Sequence, residues 1–243
     1  MTEATKSPVL VIEDLWLSQI LGKKASLLDT AAVSKDELAH FLTTVKKDAG
    51  SFFLYSKISA EDFESAKILE NHGFAFADCH VVFEKNVQAA PDNPSEAILR
   101  EASSADEVAV TEIARNNFKY SRFHKDLKIG VDRANQLKSE WARNFFYGRR
   151  GNAMYVAVWK GKVRGFIQMI HKNDSQIVDL IAVDKCAQGI GIGRGLMLHA
   201  ENEARRFNKI IVGTQASNLP SVRLYEKLGY RLTKAQWIFH YHG

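Results

Sequence analysis

Cysteine is almost absent from this chain: among 243 residues only Cys79 and Cys186 occur. Two thiols so differently placed cannot build a disulfide framework, so both are expected to be free. Long apolar runs are missing too. No stretch approaches the roughly 20 residues that a membrane-crossing helix needs, and Met1 to Lys6 is polar, without a signal-peptide core. The expectation is a cytoplasmic protein with no membrane contact. Dense Lys/Arg blocks, basic stretches interleaved with aromatics and zinc-ligand spacings are all lacking. A formal charge of +5 and a pI near 9.1 therefore point to small polyanionic ligands rather than nucleic acid. The eight histidines form no i, i+4 pair. His240 and His242 share a strand face with no third ligand nominated, so no metal is expected.

What is present is a core-forming composition, 46% hydrophobic and 25% charged, enough for one large core or two modest ones. Its most informative stretch runs from Ile181 to Gly193, an apolar strand feeding a glycine-dense turn that opens a helix. Glycines let a backbone approach a ligand closely, and the open N–H groups of a first helical turn favour a polyanion. Ile192, Leu196, Ala200, Ala204 and Phe207 recur at helical spacing and predict one apolar stripe against a sheet. A dinucleotide fingerprint fails on spacing, because the third glycine position holds Arg194 or Leu196. A Walker loop fails for want of a Lys followed by Ser or Thr. Cys186, inside the turn, has no paired His or Asn block and reads as a small turn residue rather than a nucleophile.

Gln188-x-x-Gly191-x-Gly193 resembles the acyl-coenzyme A motif of the GCN5-related N-acetyltransferases. A second block agrees in order and separation. Ile210 to Gln215 reads as a buried strand, and Asn218 to Tyr230 as a helix capped by Asn218 and closed by Gly229. That block resembles the family's other hallmark, an Asn near the pantetheine or helix start and a helical Tyr near the thioester sulfur. The resemblance covers residues 96–243. It implies an α/β fold, a mixed central sheet flanked by helices, with acetyl-coenzyme A as co-substrate. Strand Ala97 to Glu101, helices near 106–116 and 132–148, strands 154–159, 163–171 and 176–183, and the blocks above follow the family's order.

A polar stretch, residues 86–95, holds two of the four prolines and predicts a linker between residues 1–85 and the catalytic segment 96–243. The first segment carries an echo of the last. Ile68 to Phe74 followed by Val82-Phe83-Glu84 parallels Leu224 to Tyr230 followed by Ile238-Phe239-His240, at constant offset. Leu69 stands where Tyr225 stands, and the glycines Gly22, Gly50 and Gly73 make no phosphate loop. The first segment therefore reads as a partial second copy that binds no coenzyme, and that walls the acceptor cleft or forms a homodimer contact.

The resemblance assigns coenzyme contacts to Ile181, Val183, Gln188, Gly189, Ile190, Gly191, Ile192, Gly193, Arg194, Asn218 and Tyr225, with a backbone N–H near Ile181 polarising the thioester carbonyl. Tyr225 is the candidate acid for the departing thiolate. Asp179, alone in the apolar run Ile177 to Ile181, is the candidate base, or else a strand carboxylate paired with an Arg. Between the first two catalytic helices, Ser121-Arg122-Phe123-His124 offers a guanidinium fork and aromatic faces. Arg122, Phe123, His124 and Gln215 are thus expected to hold the acceptor. Together with the Phe239-His240-Tyr241-His242 end, these residues resemble the family's nucleotide-amino-sugar branch, which implies a dTDP-linked amino-dideoxy sugar. The competing readings are a peptide or small-amine acetyltransferase and a non-catalytic coenzyme-binding module.

Overall fold

The computed structural model describes residues 10–30, 34–45, 51–87 and 95–243. Its first part contains β1 (Leu10–Glu13), α1 (Leu15–Leu21), β2 (Lys24–Asp29), α2 (Lys35–Val45), β3 (Phe52–Ser59), α3 (Phe63–Asn71) and β4 (Ala75–Asn86). The second contains β5 (Ile98–Glu101), α4 (Glu107–Asn117), α5 (Arg122–Lys125), α6 (Val131–Phe146), β6 (Ala153–Trp159), β7 (Lys162–Lys172) and β8 (Ser175–Val183). It ends with α7 (Ile192–Glu203), β9 (Lys209–Gln215), α8 (Leu219–Lys227) and β10 (Arg231–His242). Of the expected linker, Asn86 ends β4, and residues 88–94 lie outside the described residues.

Turn chemistry sets the β6–β7 hairpin, where Lys160 and Gly161 both adopt positive φ (51° and 72°), the signature of the tight two-residue turn that matches strand twist. Helix α7 is shorter than the apolar periodicity predicts. It ends at Glu203 with Ala204 as its C-cap, so Phe207 lies past the helix, its ring 4.8 Å from that of His171.

The ten strands form one mixed sheet in the order β1-β2-β3-β10-β4-β9-β8-β7-β6-β5. Strand β10 thus lies between β3 and β4, and β4 between β10 and β9. Gln236 faces Ser59 across β10–β3, and His80 faces Gln215 across β4–β9. Both members of the second pairing are shifted by the same amount from the first: 215 − 59 and 236 − 80 are each 156. Strands of the two parts are therefore exchanged in one register, as a local two-fold repeat demands. The parallel pairs differ, with Leu28 opposite Ser56 in β2–β3 and Val178 opposite Val212 in β8–β9. The later connection is longer by six residues, since 212 − 178 is 34 and 56 − 28 is 28. That longer connection contains the glycine turn.

Helices cover both faces. Leu38 and Leu42 of α2 and Leu69 of α3 pack with Leu54 and Ile58 on one face of β3, while Leu17 and Leu21 of α1 and Leu137 of α6 pack with Phe53 and Tyr55 on the other. Alternation along the strand produces this division. Helices α7 and α8 contribute Leu196, Met197 and Tyr225 to a third cluster, and α4 packs Val110 and Ile113 against Phe166 and Leu180 in a fourth. Burial of these side chains contributes on the order of 2 kcal/mol each.

Candidate active site

The turn between β8 and α7 is built to be open. Gly189 (φ +84°) and Gly191 (φ +89°) hold left-handed backbone that side chains rarely adopt, and a Cβ at Gly189 would meet no atom within 4 Å. Gly191 is the N-cap of α7 with no capping side chain, so no cap side chain occupies the first-turn N–H groups at the positive end of the helix dipole. Gln188 braces the turn by donating from Nε2 to the Val183 carbonyl (3.0 Å). Backbone amides and glycines of this kind fit a pyrophosphate. The side chains of Ile190, 44% exposed, and Arg194 point outward and do not border the cleft.

Beside the turn the sheet opens. Strands β8 and β9 pair only from Ser175 to Val178 and from Lys209 to Val212, although they run on to Val183 and Gln215. Past that point the backbones part, and a cleft of about 550 Å³ lies between them. It is lined by Asp179, Ile181, Val183, Gly213, Gln215, Asn218 and Tyr225 together with Gln188, Gly189, Gly191, Ile192 and Gly193. Asn218 stands at the N-cap position of α8, but its side chain donates to Thr214 Oγ1 (3.1 Å) instead of capping.

Tyr225 is 2% exposed, with Ser221 as its hydrogen-bond partner. Burial pushes its phenol up to about 12, so it keeps its proton throughout the neutral range. Asp179 is differently placed from the expectation. Arg150 grips both carboxylate oxygens (Nε to Oδ2 2.7 Å, Nη2 to Oδ1 2.6 Å), and Oδ2 also accepts from Trp141 Nε1 and Gln168 Nε2, each at 2.9 Å. Four hydrogen bonds, three on Oδ2 and one on Oδ1, make it the Arg-paired strand carboxylate and compete with a role as base.

The acceptor segment divides. Arg122 lines the cleft with its guanidinium 4.1 Å from the Tyr55 ring and 4.3 Å from the Phe123 ring. Phe123 is 4% exposed and serves as one of these stacking faces. The His124 ring lies off the cleft, bridging Ser121 Oγ (2.6 Å) and Asn135 Oδ1 (2.9 Å). Behind Arg122, His240 Nε2 accepts from Nη1 (3.1 Å) while its Nδ1–H donates to Asp126 Oδ2 (2.6 Å). His242 Nε2–H donates to the same oxygen (2.8 Å), and its Nδ1 accepts from Lys23 Nζ (3.0 Å). Burial alone would raise Asp126, but these two donors outweigh it and hold the carboxyl well below the usual range. Burial first, then the Arg122 charge, keep His240 near 4 against the pull of Asp126.

The three groups lie within 4.8 Å of one another, a spacing that could hold a metal ion. The cations on the far nitrogens require those nitrogens as acceptors, so the hydrogens point at Asp126 and the cluster is a hydrogen-bonded chain that fixes Arg122.

Beside Arg122 the cleft is lined by Lys57, Lys119 and Lys138, of which the sequence reading missed Lys57 and Lys138. Lys138 of α6 is 8% exposed, 4.4 Å from the Trp141 ring and 4.8 Å from the Phe118 ring, and burial lowers it to about 8. Its signal was a lysine on the stripe Ala134, Trp141, Phe145, the apolar face of its helix. Lys57 of β3, an outward residue of its strand, has its proton affinity lowered by desolvation at the cleft and by Arg122. Among the described residues no carboxylate stands within ion-pair distance of Lys57, Arg122 or Lys138. Among the described residues Asp179 is the sole carboxylate lining the cleft, and Arg150 neutralises it.

A model described as acetyltransferase (GNAT) family matches residues 110–230. The chain is 29% identical over 240 residues to the spore coat polysaccharide biosynthesis protein SpsD of Bacillus subtilis, covering 96% of this chain and 83% of that one. It is 32% identical over 138 residues to the uncharacterized N-acetyltransferase MJ1530 of Methanocaldococcus jannaschii, covering 55% and 78%. Among solved structures, a GCN5-related N-acetyltransferase from Sphaerobacter thermophilus shares the fold at a TM-score of 0.65 and 14% identity, covering 96% of this chain and 75% of that one.

Proposed function

Since this chain belongs to the acetyltransferase (GNAT) family, whose enzymes use acetyl-coenzyme A as co-substrate, we propose that it acetylates the amine of a nucleotide-linked amino-dideoxy sugar, carried on dTDP, by direct attack on the thioester. The observation that carries this reading is the charge of the cleft: Lys57, Arg122 and Lys138 line it without carboxylate partners, and aromatic rings stand beside them. A diphosphate supplies the missing negative charge, and a base or sugar ring supplies the stacking partner. The polysaccharide-biosynthesis name of the Bacillus relative, matched over almost the whole of this chain, supports an acceptor of the same chemistry.

The proposed division of labour uses the open turn, the parted strands and the buried phenol. The amides of residues 189–193 hold the pyrophosphate, and unpaired backbone of β8 beyond Val178 receives the thioester carbonyl. Bound acetyl-coenzyme A supplies the activated acetyl group. Tyr225 hydrogen-bonds the sulfur and donates its proton as the thiolate departs. The first part of the chain, residues 1–85, lends Lys57 and β4 to the acceptor side and binds no coenzyme itself.

A thermal-shift panel tests the reading. With dTDP-, UDP- and GDP-amino sugars, with and without acetyl-coenzyme A, the dTDP compound is expected to raise Tm most, because a ligand bound to the native state stabilises it. Thiol release from acetyl-coenzyme A should accompany it, and free dTDP should compete. Turnover of a carrier-free amine that dTDP does not inhibit would overturn the nucleotide-sugar assignment.

A further inference from the structure

We propose that His80, carried by β4 of the first half, is the proton acceptor for the incoming amine. This rests on acetyl transfer to nitrogen and not on the nucleotide carrier. The amine must lose a proton as it bonds to carbon, and Asp179, the one carboxylate lining the cleft among the described residues, already accepts four hydrogen bonds from Arg150, Trp141 and Gln168. His80 lines the same cleft, directly across β4–β9 from Gln215. Its Nδ1 is buried with no hydrogen-bond partner, and no described residue bonds its Nε2 either. A side chain of this kind normally finds partners when buried, so an unengaged imidazole in a reaction cleft is one kept available.

Its position is set by Gly213. A Cβ there would lie 2.5 Å from His80 Nε2, so only glycine at this position lets the ring rest on β9. Gly213 is also the first residue past Val212, the last of β9 to pair with β8. The imidazole edge therefore sits where the two strands part, beside the backbone assigned to the thioester. Burial, followed by the charges of Lys57 on β3, Arg122 on α5, Lys234 on β10 and Lys138 on α6, lowers its affinity for protons to about 4 and keeps the ring neutral.

In the transfer, the nitrogen lone pair forms the C–N bond and one N–H proton passes to the free imidazole nitrogen. The C–S bond breaks, its electron pair leaves on sulfur, and the thiolate takes the Tyr225 proton. The imidazolium then returns its proton through solvent to the phenolate.

The test uses His80→Gln and His80→Ala in the full chain, with acetyl-coenzyme A and three acceptors: a dTDP-linked amino-dideoxyhexose, its UDP counterpart and the carrier-free amino sugar. At pH 7 kcat is expected to fall by about 10²–10⁴-fold while acetyl-coenzyme A affinity by calorimetry stays unchanged. The deficit should narrow as pH rises toward the pKa of the amine, and added imidazole should restore part of the His80→Ala rate. Independently, ¹⁵N NMR of the wild-type ring should show neutral imidazole at pH 7. An unchanged pH profile in both variants, or an imidazolium at pH 7, overturns the assignment. Wild-type turnover of the carrier-free amine alone ends the nucleotide reading yet still tests His80, and wild-type turnover of no amine overturns both.

Discussion

A phenol sealed from water needs a proton more than it needs a charge, and Tyr225 is held in that state by burial in the third core cluster, with the Phe83 ring 5.8 Å away. Tyr225→Phe keeps the ring and removes only the proton. Turnover is expected to fall about 10- to 1000-fold, with coenzyme affinity by calorimetry nearly unchanged, in keeping with general-acid contributions of about 10²–10⁴. Asp179 gives the opposite expectation. Its carboxylate is 7% exposed while Arg150 is 40% exposed, so Asp179→Asn should cost about 1–3 kcal/mol, the range for lost charge-assisted hydrogen bonds. A lower Tm with coenzyme binding intact is the signature of a structural pair. Loss of turnover at unchanged Tm would return it to the chemistry. A carboxylate in an apolar strand is visible as unusual in a sequence, but Trp141, Arg150 and Gln168 reach it only through tertiary packing.

Among the elements, the glycine turn was legible because its requirement is local. Positive φ at Gly189 and Gly191 and an uncapped helix start depend on a dozen consecutive residues. Gly191→Asp places strain and negative charge where the pyrophosphate is expected. Acetyl-coenzyme A affinity should drop at least tenfold by calorimetry, and full affinity would refute the turn's role. Gly213 was not legible in the same way, since the atom that excludes a side chain there belongs to His80, 133 positions earlier (213 − 80). Gly213→Ala is expected to displace that ring and lower kcat more than it lowers coenzyme affinity. Helix α6 shows a further limit of periodicity. It identifies the buried face of the helix, yet Lys138 on that face reads as a surface lysine until the aromatic rings around it are known.

For the whole molecule, the fold class and the catalytic order were readable from residues 96–243, and the echo at constant offset marked the repeat. The exchange of β4 and β10 was not readable, because strand pairing between distant segments leaves no local pattern. It brings His80 to the second half and His240 to the first, both lowered by burial to about 4 from the usual 6.5. A pKa depressed in the folded state means that the unfolded chain takes up these protons first. Their contribution is complete above about pH 6.5 and is lost as pH falls toward 4. Stability is expected to drop by about 2–4 kcal/mol between pH 7 and pH 5, a fall in Tm of about 5–10 °C by circular dichroism. A flat Tm over that interval would mean that neither ring is held neutral.

Interleaving of this kind also constrains how the protein can evolve. Neither half can shed its terminal ribbon without leaving a gap in its neighbour's backbone ladder. Mutations in the half that lacks any recognisable motif are therefore expected to be felt at the chemistry of the other.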